Sequence, residues 1–112
     1  MTEADYGSSF QIIAEAGDSK GYSMSAIKAA MNGDFKKAEA DLKEADRCLL
    51  AAHEFQTEMI QQEAEGSSVP VNIILVHSQD HLSMAMTARD MAEQFVILYR
   101  QLHEGKKENR EG

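Results

Sequence analysis

The sequence predicts an all-α protein built from three helices. Its apolar residues recur at alternating spacings of three and four over long stretches, which places them on one face of an α-helix. The 112 residues contain one proline, Pro70, and most of the seven glycines fall where a predicted helix begins or ends. A chain of this length fits a single domain, which we assign to residues 1–112.

The first predicted helix runs from about Ser9 to Asn32. Ser8 or Ser9 is expected to be its N-cap, and Gly33 is expected to take the left-handed conformation that ends many helices. The central segment AGDSKG, residues 16–21, is weak helix because each glycine costs about 1 kcal/mol relative to alanine. We therefore expect a kink or a short break in this segment.

The second predicted helix begins after Asp34, which we expect to be its N-cap. The segment EGSSVP, residues 65–70, then forms a loop, and Pro70 is expected at the first position of the next helix. The apolar face of the second helix follows a heptad-like pattern made by Phe35, Ala38, Leu42, Ala45, Leu49, Ala52, Gln56 and Met59.

The third helix is predicted from about Val71 to His103, about 33 residues or 50 Å in length. A strand is the alternative for VNIILV, residues 71–76, but the helical pattern continues well beyond that segment. The tail GKKENREG, residues 105–112, is polar and expected to be disordered.

Two apolar strips run along this third helix, one more than a surface helix needs. We expect one strip to face the rest of the subunit and the other to face a neighbouring chain. The histidine strip consists of Ile74, His77, His81, Met84, Ala88, Met91, Phe95, Leu98 and Leu102, and the second strip of Leu75, Leu82, Met86, Val96 and Tyr99.

Composition excludes several classes of function. With 11 Lys and Arg against 19 Asp and Glu the net charge is -8, so the chain lacks the basic patch that nucleic-acid binding needs. The single cysteine, Cys48, cannot form an internal disulfide, and the first residues do not resemble a secretory signal. Apolar runs are far shorter than the roughly 20 residues that span a bilayer. We expect a cytoplasmic protein.

The segment VHSQDH, residues 76–81, is the candidate functional site. His77 and His81 lie one helical turn apart, and Asp80 lies close to both. The pair admits three interpretations. It can be a structural pair in a core or interface, or a zinc site of the HxxDH type, although the chain is short for a protease cleft. It can also be a phosphoryl acceptor, in which one neutral imidazole attacks phosphorus and the second, protonated, binds the phosphoryl oxygens.

Four motifs together resemble one known family over about residues 10–103: IIAEAGDSK, NGDF, AHEFQT and LVHSQDHL. The family is the lactose/cellobiose-type enzyme IIA of the bacterial sugar phosphotransferase system. The resemblance implies a three-helix antiparallel bundle in each subunit and a homotrimer that forms a nine-helix bundle. The sequence departs modestly from the family at Ser78, Ser83 and Met84, and none of these departures removes a reacting group.

The resemblance also implies a phosphocarrier cycle. The carrier HPr would give its phosphoryl group to His77, which would pass it to a cysteine of enzyme IIB for uptake of a β-glycoside through the membrane component IIC. His81 would stabilise the phosphate. Asp80 would lie near the threefold axis, where three carboxylates can share a divalent cation such as Mg²⁺; no organic cofactor is implied.

Three further residues have more modest interpretations. Cys48 is expected to be a small packing residue. His53 and Gln56 can either hydrogen-bond within the bundle or reach a neighbouring site, and the structural role is favoured. The main alternative to a phosphocarrier is a non-catalytic helical assembly module whose histidines complete an interface. The sequence does not specify which sugar is handled.

Overall fold

The computed structural model describes residues 6–111, with side chains described for residues 6–107. Within that range the fold is all-α, with helices α1 (Gly7–Met31), α2 (Phe35–Ala64) and α3 (Ile73–Glu111) and no strand. The short connections make consecutive helices antiparallel, and the bundle measures 66 × 22 × 18 Å. None of the described helices is both long and apolar enough to cross a membrane.

Helix α1 departs from the prediction at its start and in its middle. It begins at Gly7 after Tyr6, which makes no side-chain capping bond, and Ser9 lies buried inside the helix. The predicted cap at Ser8 or Ser9 is therefore wrong. The expected break in residues 16–21 is also wrong, because α1 is uninterrupted. Ala16 and Ser19 are buried against the other helices, and this tertiary packing outweighs the poor helix propensity of the two glycines.

The connection between α1 and α2 follows the prediction. Gly33 has a φ of 80°, the left-handed conformation expected at the end of a helix. Asp34 Oδ1 accepts a hydrogen bond from the backbone N–H of Lys37 at 3.1 Å, which confirms Asp34 as the N-cap of α2.

Both ends of α3 differ from the prediction. The helix begins at Ile73 because Asn72 Oδ1 accepts from the backbone N–H of Leu75 at 2.9 Å and acts as a cap, which leaves Pro70 in the preceding loop. At the other end α3 continues to Glu111, so the expected disordered tail over 105–112 is not found for residues 105–111. Lys, Glu and Arg are good helix formers, and extending an existing helix through them costs little. Gly112 lies outside the described residues.

The core consists mainly of small side chains, and this lets the three helices approach closely. The second strip of α3 faces this core: Leu82 and Val96 are buried and Leu75 and Tyr99 are half-buried, although Met86 is exposed. The histidine strip lies mostly on the outside of the subunit, with Met84, Met91, Phe95, Leu98 and Leu102 all exposed. The buried apolar residues are Ile12, Ala16, Ala26, Ala29, Ala30, Ala38, Leu42, Ala45, Cys48, Ala52, Leu82, Ala85, Ala92 and Val96.

Candidate functional site

The two histidines of VHSQDH lie together near the start of α3. His77 Nε2 and His81 Nε2 are 3.0 Å apart, and the ring centroids are 4.3 Å apart with the planes inclined at 78°. His77 is exposed, whereas His81 is half-buried. The prediction that the pair shares one helix face is confirmed.

The 3.0 Å contact restricts the protonation states of the pair. A hydrogen bond between two Nε2 atoms needs one N–H donor and one free lone pair, so at least one of the two rings is neutral at Nε2. The second ring can be neutral or positively charged. The pair can therefore supply a nucleophilic nitrogen and a hydrogen-bond donor side by side, which is the division of roles that phosphoryl transfer to histidine needs.

Asp80 lies on the same helix but takes no part in this contact. It is exposed, and the described residues show no hydrogen bond or ion pair that involves its carboxylate. Among the described side chains of this single chain, no group of three or more His, Cys, Asp or Glu is arranged to hold a metal ion.

A group of polar side chains packs behind the histidines, between α2 and α3. Gln56 Nε2 of α2 donates to Gln79 Oε1 of α3 at 2.6 Å, and Gln79 Nε2 donates to Ser78 Oγ at 3.3 Å. Ser78 is fully buried, and its hydroxyl donates to the Leu75 carbonyl at 2.6 Å. Gln56 thus bonds within its own subunit. Gln79 was not among the predicted site residues, although its place within the HSQDH segment could have indicated it.

The other candidates lie away from the histidines or have structural surroundings. Cys48 is buried in the core, which confirms its predicted role as a packing residue. Burial raises the pKa of its thiol, so the reactive thiolate is disfavoured. His53 is half-buried on α2, and no hydrogen bond of its side chain is described.

The fold and the site together define a small helical bundle with a pair of neighbouring imidazoles near the start of α3, one of them exposed. The family model for the lactose/cellobiose-specific IIA subunit of the phosphotransferase system matches residues 7–100. The chain therefore belongs to this family, whose members are phosphocarriers in sugar uptake.

Two relatives are similar in sequence to this chain along most of its length. The lichenan-specific phosphotransferase enzyme IIA component of Bacillus subtilis is 43% identical over 95 residues, which cover 85% of this chain and 86% of that protein. The lactose-specific EIIA component of Lactococcus lactis subsp. lactis is 40% identical over 91 residues, which cover 81% of this chain and 87% of that protein.

Two solved structures have the same fold. The cellobiose-specific enzyme IIA of Bacillus anthracis superposes with a TM-score of 0.90 at 34% identity, covering 93% of this chain and 95% of that one. The chitobiose IIA of Escherichia coli, solved in complex with HPr, superposes with a TM-score of 0.78 at 29% identity, covering 91% of this chain and 99% of that one.

Proposed function

We propose that this chain accepts a phosphoryl group from phospho-HPr on His77 and passes it to a cysteine of enzyme IIB, as one step in the uptake of a β-glycoside. The observation that carries the proposal is the exposed His77, whose Nε2 lies 3.0 Å from the Nε2 of His81. An exposed imidazole can be reached by a partner protein, and the adjacent ring can bind the incoming phosphate. HPr is the proposed donor because a relative of the same fold forms a complex with it.

In the accepting step, the lone pair of a neutral His77 Nε2 forms the new N–P bond. The P–N bond to the HPr imidazole breaks, and its electron pair stays on that ring. Each imidazole keeps the proton on its other nitrogen, so no external acid or base is needed. In the donating step, a thiolate of IIB attacks phosphorus, the S–P bond forms, and the electron pair of the broken N–P bond returns to His77.

His81 stabilises the phosphorylated form in this mechanism. Once phosphorus occupies Nε2 of His77, that nitrogen no longer accepts a hydrogen bond, and the N–H of His81 can turn to a phosphoryl oxygen. A charged His81 makes the stronger bond to this dianionic group. His81 is therefore expected to affect the lifetime of the phosphohistidine more than the identity of the nucleophile.

The active form is proposed to be a homotrimer with a nine-helix bundle. The exposed histidine strip of α3 supports this, because it leaves five large apolar side chains uncovered on one face of a single subunit. In such a trimer the exposed Asp80 would meet its two copies near the axis. Three carboxylates suit a hard cation such as Mg²⁺, with water completing the octahedron. The cation would neutralise like charges there and takes no part in phosphoryl transfer.

The cycle is proposed to run in the cytoplasm, with IIC reached only indirectly through IIB. The relatives named for lichenan and lactose support a β-glycoside as the transported sugar. The chain is proposed to handle only the phosphoryl group, so the choice of sugar is expected to belong mainly to the partner components.

The direct test is incubation of the purified chain with phosphoenolpyruvate, enzyme I and HPr, followed by intact mass spectrometry. We expect a mass gain of one phosphoryl group that acid removes and alkali does not. Omission of HPr should abolish the gain. A chain that stays unmodified while HPr is phosphorylated would instead support the assembly module, and a zinc-dependent hydrolytic activity would support the HxxDH interpretation.

A further inference from the structure

Polar side chains join α2 to α3 at three levels along the bundle. At the histidine end the contact is the hydrogen bond between Gln56 and Gln79. In the middle, Arg89 donates to both carboxylate oxygens of Asp46, at 2.6 and 3.1 Å. At the far end, Arg100 donates to Glu39 at 3.0 Å. The contact nearest the histidines is thus an uncharged amide pair, whereas the other two are ion pairs.

The amide pair begins a directed chain of hydrogen bonds. It runs from Gln56 to Gln79, from Gln79 to the buried hydroxyl of Ser78, and from Ser78 to the carbonyl of Leu75. The bonds determine the orientation of the Gln79 amide, since its oxygen accepts from α2 and its nitrogen donates within α3. This series of hydrogen bonds links α2 to the first turns of α3, the segment that contains His77.

Gln79 does not reach the phosphoryl group of its own subunit directly. It follows His77 by two residues, and side chains at that spacing lie on different sides of an α-helix. Gln79 instead faces α2, where its partner Gln56 lies. Any effect of this pair on phosphoryl transfer must therefore act through the placement of α3.

Between Ile73 and His81, no apolar side chain of α3 is fully buried, and Ile74 and Leu75 are half-buried. From Ile73 to His81 the fully buried residue is Ser78, and Ile73 and Val76 are exposed. An atom about 5 to 6 Å from a helix axis moves about 1 Å when the helix turns by about 10°. A displacement of this size at a reacting nitrogen can lower a rate by up to about 100-fold. The hydrogen-bond chain is thus well placed to control the alignment of His77.

We propose that Gln56 is a positioning residue for phosphoryl transfer, acting through Gln79 and Ser78 to hold the first turns of α3 in the rotation that presents His77 to the donor. This inference rests on the proposed function of His77. It assigns a role to a residue on a different helix from the reacting imidazole, and it predicts an effect on the transfer step with little effect on HPr binding.

The test is rapid-quench measurement of phosphoryl transfer from purified phospho-HPr to four variants and the wild type, at increasing phospho-HPr concentration. The variants are Gln56→Met, Gln79→Met, the double variant, and Glu39→Met as a matched control. Glu39→Met removes the α2–α3 ion pair at the far end of the bundle and introduces the same replacement side chain. Circular dichroism melting accompanies each variant. Gln56→Glu, which keeps the side-chain size and loses the donor, replaces Gln56→Met if that chain does not fold.

We expect Gln56→Met to lower the maximal transfer rate about tenfold, within the range that small misplacements cause, while the KM for phospho-HPr stays unchanged. Glu39→Met should transfer at the wild-type rate. The double variant should be no slower than the slower single variant, because both changes break the same bond. A wild-type rate for Gln56→Met, an equal loss in Glu39→Met, or full additivity of the two glutamine changes would overturn the inference. An unphosphorylated wild type would instead refute the proposed function itself.

Discussion

The histidine end of the bundle and the far end differ in the contacts that pack α3 against α1 and α2. At the far end a cluster of seven buried residues includes Leu42 and Val96, and Phe35 packs against it. Arg100 lies 5.1 Å from the centre of the Phe35 ring and also pairs with Glu39. At the histidine end the buried cluster has three residues, Ile12, Ala52 and Leu82, and the side-chain amides of Gln56 and Gln79 form a hydrogen bond between α2 and α3.

Because of this difference, we expect the stability of the fold and the transfer of the phosphoryl group to depend on different ends of the bundle. The far end has the larger buried apolar cluster, so it is expected to contribute more to the free energy of unfolding. The histidine end leaves His77, Ile73 and Val76 exposed, as the proposed exchange of a phosphoryl group with two protein partners would require. Substitutions at the two ends should therefore have different consequences.

The largest expected effect is that of His77→Ala on phosphoryl acceptance. The variant loses the proposed nucleophile, so we expect no acid-labile phosphoryl group by intact mass, while the melting temperature stays close to that of the wild type because His77 is exposed. His103→Ala is the matched control, since His103 is an exposed histidine of the same helix that packs against Phe35 at the far end. Acceptance at the wild-type rate by His77→Ala would show that another residue is the nucleophile.

Two leucine truncations should distinguish the two ends. Leu42→Ala and Leu82→Ala each remove a buried side chain, and each is expected to lower the free energy of unfolding by about 2 to 5 kcal/mol. Denaturant titration at equal protomer concentration measures this loss. Transfer from phospho-HPr should slow only in Leu82→Ala, because Leu82 lies one residue after His81 on α3. An equal slowing in both variants would remove the proposed separation between the ends.

Asp80 offers a test of the proposed assembly. If three carboxylates share a cation, chelation should loosen the trimer or lower its melting temperature, more at neutral pH than in mild acid, where protons relieve the repulsion. Asp80→Leu should remain a trimer without metal, since apolar groups often replace buried charges without loss of stability. Sedimentation with and without chelator measures both. An unchanged wild-type trimer in chelator, together with a dissociated Asp80→Leu, would contradict this assignment.

The smallest expected effects concern two serines of α1 that lie between the ends. Both are fully buried, but Ser19 Oγ donates to the Ala45 carbonyl at 2.8 Å, whereas Ser23 Oγ has no hydrogen-bond partner among the described residues. Ser19→Ala should lower the free energy of unfolding by about 1 kcal/mol, and Ser23→Ala should leave it unchanged or raise it slightly. Equal losses in the two variants, measured by denaturant titration, would mean that Ser23 is hydrogen-bonded in solution.

The sequence predicted the parts of the fold that depend on local chemistry. Asp34 caps α2 and Gly33 ends α1 as expected, because a carboxylate cap and a left-handed glycine act within a few residues of the chain. The predicted break near Gly17 was wrong, because packing of α1 against the other helices outweighs the low helix propensity of glycine. The cap at Asn72 was missed because Pro70, two residues earlier, also signals a helix start.

The site was predicted less completely. The spacing of His77 and His81 was sufficient to predict their contact, since residues four apart are neighbours on a helix. The bond between Gln56 and Gln79 was not predictable in the same way, because it joins residues 23 positions apart and depends on how two helices pack. The motifs in the sequence were sufficient to identify the family, whereas the hydrogen bonds that join Gln56, Gln79 and Ser78 are seen only in the structure.

The proposal that His77 carries the phosphoryl group is tested most directly by locating that group in the protein and then measuring its transfer to enzyme IIB. The chain is phosphorylated through HPr, separated from it, and divided into two samples, one of which receives enzyme IIB. Tandem mass spectrometry at alkaline pH should place the group on His77 in the first sample. In the second it should be lost from His77 and found on a cysteine of IIB. Phosphate on any other residue, or phosphate on His77 that IIB cannot remove, would contradict the account.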